Sequence, residues 1–232
     1  MTQKTAWFTL HRIRVALQQG SCEKFTGTVE ADETYIGGKA KNMHKDKCAK
    51  AIQGRGSVGK TAVAGILKCG ETYIDANGDE QKTTSQIRAN VVPDTTDKTL
   101  AIEVRTNVEG GSELFTDAAP AYRALNGEYI HAFVDHAVKY VEYRVHTNGL
   151  ENFWSLTKRA LKGTYVSVEP EHLPAYIDEQ AFRFKERDKK DGGRFVLALS
   201  KVKGKRLTYK TIIGNPQGID SPDPLRGGLR AD

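Results

Sequence analysis

Three carboxylates inside one strand-forming run constrain this chain more than any other feature: Glu30, Asp32 and Glu33 all fall within residues 28–36. That run, T-V-E-A-D-E-T-Y-I, is β-branched and half alternating, which suits a strand ending at the Gly37-Gly38 turn. Period-2 geometry puts Glu30 and Asp32 on one face and Glu33 on the other. Such acids either form a solvent-facing stripe or are buried, and a buried acid is costly unless it is paired or bound to metal. Read alone, the run favours the exposed stripe.

Asp117 shifts that balance. It closes a second apolar run, E-L-F-T-D (residues 113–117), and α/β sheets commonly present functional groups at strand C-termini. It is also a good N-cap for the short helix expected over residues 120–125, so both roles stay open. A third carboxylate, Glu151, opens a strongly amphipathic helix whose buried stripe is Leu150, Phe153, Trp154, Thr157 and Leu161, with Gly163 as its stop. Asn148 and Glu151 are spaced i, i+3 and can face the same ion. Lys158 lies two turns beyond Glu151. A dipole-favoured acid followed by a solvated cationic face explains the same residues more blandly. Two strand acids and a helix carboxylate nevertheless form the oxygen-rich set that Mg²⁺ or Mn²⁺ prefers. Paired ions of that kind serve phosphoryl transfer.

Elsewhere the pattern is coarser. Residues 4–19 read as a helix burying Ala6, Leu10, Ile13 and Leu17, with Arg12 and Arg14 projecting away. Further strands are expected at 62–67, 72–74, 99–104 and 112–115, and a second C-terminal helix at about 170–187. Residues 39–60 read as a Gly- and Lys-rich basic loop. Within and just beyond it, G-R-G-S-V-G-K-T (residues 54–61) matches the phosphate-loop pattern letter for letter. That pattern needs a strand before it and a helix after it, and here a strand follows, so a chance match is expected. Cys22, Cys48 and Cys69 are too scattered for a disulfide framework or a zinc ribbon. Trp154 could stack on a base, but its place on the apolar stripe favours core packing. His146, at the helix entry, could orient a phosphate or be structural, and the other histidines show no metal spacing.

The order β-rich, mixed, then helical indicates an α/β domain. Thirty-five Lys and Arg against 29 Asp and Glu give a net charge of +6, which favours a polyanionic partner. No apolar run approaches a membrane span and the first residues do not read as a secretory leader, so a cytoplasmic, nucleoid-associated protein is expected.

The motifs also resemble a known family. V-E-A-D-E-T-Y-I-G-G-K (residues 29–39), F-T-D-A-A-P-A-Y (115–122) and H-T-N-G-L-E-N-F-W-S-L-T-K-R (146–159) are similar, in that order, to motifs of the ISXO-like insertion-sequence transposases. The resemblance extends to K-T-A-W-F-T-L-H-R-I-R (4–14), G-T-Y (163–165) and R-L-T-Y-K (206–210). It implies an RNase H-like mixed sheet flanked by helices, with a DDE-type site. Asp32 would lie on the first strand and Asp117 on the fourth, with Glu151 as the third acid and Lys158 as the basic residue seven positions later. Asn148 stays a candidate ligand, because such transposases carry either Asn or Glu at the third position. The implied cofactor is Mg²⁺ or Mn²⁺, as two ions. The implied partners are transposon-end and target DNA, held by Lys158, Arg159 and Lys162 in a homo-oligomer assembled on DNA.

Related transposases usually begin with a zinc ribbon and a helix-turn-helix. Residues 1–20 are therefore expected to be the last helix of such a region, residues 21–214 the catalytic domain and residues 215–232 a flexible tail. In a later motif where the family carries Asn, this chain has Lys185. The activity expected is metal-dependent strand cleavage and strand transfer. The alternatives are a shortened DNA-binding remnant and a nuclease of the same fold. Of the two candidate third ligands Glu151 is expected to be indispensable, because a carboxylate compensates the ion's charge directly, and Asn148 is expected to cap the helix.

Overall fold

The alternating acid-bearing run does form a strand, β1 (Thr28–Ile36), and it lies at the centre of the sheet. The computed structural model describes residues 1–18, 23–37, 59–117, 120–134, 147–166, 168–204 and 208. In chain order the elements are α1 (Gln3–Leu17), β1, β2 (Thr61–Lys68), β3 (Thr72–Ile74), β4 (Glu80–Lys82) and β5 (Gln86–Val92). They continue with α2 (Asp97–Asn107), β6 (Glu113–Asp117), a 3-10 turn over Pro120–Leu125 and β7 (Ile130–Val134). Helices α3 (Asn148–Gly163), α4 (Leu173–Lys185, entered by a 3-10 turn at Pro170–His172) and α5 (Asp191–Val202) complete the order.

The main sheet runs β5-β2-β1-β6-β7, and β3 with β4 forms a separate hairpin. Counted along the chain, the five main strands are ordered 3-2-1-4-5. Strands β5, β2 and β1 are antiparallel neighbours, while β1, β6 and β7 run parallel. One face of the sheet packs Val29, Ala31, Ala64 and Leu114 against Leu100, Ala101 and Val104 of α2. The other packs Val63, Leu67 and Ile87 against Leu150, Phe153 and Trp154 of α3 and Tyr176, Ile177 and Phe184 of α4. This five-stranded mixed sheet between helical layers is an RNase H-like fold.

Two expectations are corrected. Residues 99–104 belong to helix α2, not to a strand. Their buried positions Leu100, Ala101 and Val104 have helical spacing, and Asp94 starts the helix by accepting from Thr96 N, Thr96 Oγ1 and Thr99 Oγ1. On α1 only the end of the expected stripe is buried: Leu17 is, but Leu10 is 50% and Ile13 37% exposed, while His11 and Arg14 are buried. The reason is a polar docking site. Arg14 Nε donates to Glu179 Oε2 of α4 at 2.8 Å, and its guanidinium lies 3.9 Å from the centre of the Tyr176 ring. Tyr165 and Arg183 donate to the other carboxylate oxygen. Burial alone would raise the Glu179 carboxyl, but the hydrogen bonds from Arg14, Tyr165 and Arg183 outweigh it and hold the group below the usual range.

Removing one partner of such a buried pair strands the other. Arg14→Ala is therefore expected to cost about 3 kcal/mol in urea unfolding. A loss below about 0.5 kcal/mol would mean that other contacts hold α1.

The basic loop and His146 fall largely or wholly outside the described residues, as does the 215–232 tail. Of the phosphate-loop look-alike, residues 59–61 are described, and Thr61 starts strand β2 rather than a helix. Among the described residues no helix is long and apolar enough to cross a membrane.

Candidate active site

Register brings the first two acids together. β1 and β6 pair in parallel with Glu30 opposite Phe115. Two residues further along each strand come Asp32 and Asp117, at the same level and on the same sheet face. Their proximity has an electrostatic consequence. Burial first, then the charges of Glu33 and Asp117, push the Asp32 carboxyl up to about 7. Glu33 is raised as well, by burial and then by Asp117, and its Oε2 accepts the Tyr122 hydroxyl at 2.9 Å from the other side of the sheet.

Helix α3 is fastened over this pair by β1 itself. Glu30, 1% exposed, accepts the amide of Leu150 at 2.8 Å. It thereby satisfies one of the orphan donors of the first helical turn and sets a negative charge at the positive end of the helix dipole. Gly149 makes this approach possible, since a Cβ there would stand 2.8 Å from Glu30 Oε2. The Cys69 thiol, pushed up to about 12 by burial and by Glu30, donates weakly to the second oxygen at 3.6 Å. One turn along the helix, Trp154 Nε1 donates to Asp32 Oδ2 at 2.9 Å. Its indole lies over Gly65, the cross-strand partner of Asp32, where a Cβ would stand only 2.5 Å from the ring.

Glu151, Trp154 and Lys158 recur at i, i+3 and i+7 and so share a face of α3. Lys158 is half-buried. Burial, with Lys162 and Lys60, lowers its basicity, while the nearby Asp32 charge works against that. Glu151 and Asn148 sit exposed on the first turn, and Arg159 and Lys162 are exposed further along. Among the described residues no three His, Cys, Asp or Glu side chains stand together as a ready metal-binding set. The acids brought together are Asp32 and Asp117, with Glu33 coupled to both.

The capping role expected of Asn148 is corrected. Asn148 is the first residue inside the helix, Thr147 holds the cap position without a side-chain cap bond, and Glu30 takes the Leu150 amide instead. Sequence reasoning also missed Trp154 as a partner of Asp32. The available signal was its place between Glu151 and Lys158 on one helix face.

These features sit inside a recognisable domain. The model of the ISXO2-like transposase domain matches residues 24–185, from just before β1 to the end of α4. The chain belongs to that family. No characterised protein and no solved structure matches it. A transposase of this family acts on DNA, and every element that carries a candidate acid lies within the matched span.

Proposed function

We propose that this transposase cleaves and joins DNA strands at a metal site built on Asp32 and Asp117, with Glu151 as the third carboxylate. The observation that carries the reading is the Asp32–Asp117 pair on neighbouring parallel strands, with Asp32 raised to about 7 by burial and by its acidic neighbours. A carboxylate whose ionisation is opposed by burial and by acidic neighbours fits a divalent cation, which relieves that cost, and hard carboxylate oxygens suit Mg²⁺ or Mn²⁺. Asp32, Asp117 and Glu151 would hold the metal, with Asn148 as the alternative to Glu151. Two bound ions would activate the attacking oxygen and stabilise the leaving one.

The protein's own groups do the rest. Trp154 holds one Asp32 oxygen by its indole N–H and so fixes the direction of the other. Lys158, beside Asp32, binds the phosphate under attack, and Arg159 and Lys162 hold neighbouring phosphates as positional contacts. In the first step water attacks a phosphodiester in line, the P–O3′ bond breaks, and a 3′-hydroxyl and a 5′-phosphate result. In the second that 3′-hydroxyl attacks a target phosphodiester, displacing the target's own 3′-oxygen. A homo-oligomer on DNA would bring two transposon ends to one target.

The test separates the two candidate third ligands. Glu151→Gln is expected to lose cleavage of a terminal-repeat duplex in Mg²⁺ or Mn²⁺ by about 10²-fold or more. Asn148→Ala, exposed and without a capping bond, should leave cleavage and stability close to wild type. An active Glu151→Gln beside a folded but inactive Asn148→Ala would assign the role to Asn148.

A further inference from the structure

Helices α3 and α4 part to leave a cleft of about 430 Å³. The side chains that give it chemistry are Leu156, Thr157, Arg159, Gln180, Arg183 and Arg187, and no carboxylate lines it. Thr157 is fully buried there, and its hydroxyl has no hydrogen-bond partner. That oxygen is covered by the protein itself, so a hydrogen bond to a ligand in the cleft comes from elsewhere in the wall. Gln180, also buried, lines the same wall with an amide able to donate and accept.

The rim has a different character. Arg187 stacks 4.4 Å from the Phe184 ring centre and donates to the Phe184 carbonyl, which fixes its guanidinium at the mouth. Arg183 is held by Glu179, and Arg159 is exposed. Leu156 stands 42% exposed at the edge, an apolar surface without a cover. Three guanidinium groups around an apolar slot with polar groups in its wall suit one ligand with an anionic end and a flat, hydrogen-bonding body.

We propose that this cleft receives one unstacked nucleotide of the bound DNA strand, with its base in the slot and its phosphates on the arginine rim. The volume lies in the range of pockets that enclose a single small ligand. Base stacking on side chains tolerates any sequence, because every base has a π-face. Position on the helix supplies continuity: Lys158 lies beside Asp32, and the next residue, Arg159, opens onto the cleft. A strand held at the acids by Lys158 therefore reaches the slot by crossing one helix. The inference rests on the DNA partnership of the family and not on the acids being catalytic.

The probe is a short single-stranded oligonucleotide carrying one 2-aminopurine, bound by the full chain in EDTA and compared with a strand abasic at that position. The fluorophore is expected to change its emission on binding, and the abasic strand to bind about tenfold more weakly. Ala160 lines the cleft, and Ala160→Phe, which fills it, should abolish that difference. Leu156→Glu, an exposed change that sets an acid at the rim, should do the same without disturbing the core. Asp32→Asn should keep the base-dependent difference whatever becomes of its cleavage, which separates this inference from the catalytic reading. Equal binding of intact and abasic strands by the wild-type chain overturns the proposal. So does a base-dependent difference that survives both cleft variants.

Discussion

Asp32→Asn is expected to remove strand cleavage, by about 10³-fold or more, and at the same time to make the metal-free protein more stable. The two effects share one origin. Burial, Glu33 and Asp117 lift the Asp32 carboxyl from its ordinary 3.8 to about 7 in the folded protein. Between those values the folded state holds a proton that the unfolded state has released. Stability therefore declines as pH rises from about 4 to about 7, by up to roughly 1.4 kcal/mol per pH unit for this group. Above that window the penalty is constant, and below it the penalty is absent. Glu33, raised by the same causes, adds to the decline. Asparagine never ionises, yet its amide oxygen still accepts the Trp154 indole N–H, so the variant keeps the hydrogen bond and loses the strain. Urea unfolding in EDTA should show the variant gaining on the wild type as pH is raised from about 5 to about 8. A gap that does not change with pH would mean that Asp32 is not strained by its neighbours.

Glu30→Ala is expected to cost about 3 kcal/mol of stability and most of the cleavage, although Glu30 faces the helix backbone rather than the acids. The Leu150 amide loses its acceptor, the helix end loses its compensating charge, and a void opens beneath Gly149. Displacing α3 moves Trp154, Glu151 and Lys158 together. Glu30→Gln restores an acceptor of nearly the same shape and should recover most of both losses. Thermal melting beside cleavage distinguishes the roles. If Glu30→Ala melts like the wild type and is still inactive, Glu30 takes part in the chemistry itself.

Local pattern was enough to read β1, the apolar strand ending at Asp117, and α3 with its five buried residues. In α3 the period of the apolar positions matches the one buried face, whereas β1 and β6 are buried on both faces at their centres. It was not enough for residues 99–104, where β-branched residues outweighed a helix start set by Asp94 and two threonines. Strands β5 and β7 and helix α5 went unread for a related reason. β5 and β7 are sheet edges whose pairing with β2 and β6 is fixed by tertiary contact, and α5 leaves Phe195, Val196 and Leu199 largely exposed. On α1 the apolar stripe misled, because docking is decided by a buried Arg14–Glu179 pair that no periodicity announces. At the site, the two glycines that let Glu30 and Trp154 approach were invisible as such. A glycine shows what it admits only once its neighbours are placed.

Sheet order also dictates when the site can come into being. Strands β1 and β2 follow one another in the chain, and they can pair as soon as both have been made. Asp117 reaches Asp32 only through a parallel pairing that waits for β5 and α2 to be completed, and closure over such sequence distance is slow. Trp154 and the capped end of α3 arrive later still. During synthesis the nascent chain thus carries its first acid on a sheet without a partner for it. The cleft between α3 and α4 needs α4, the later of its two walls. A domain folded in this order brings its acids together late, when nearly the whole matched span has been made.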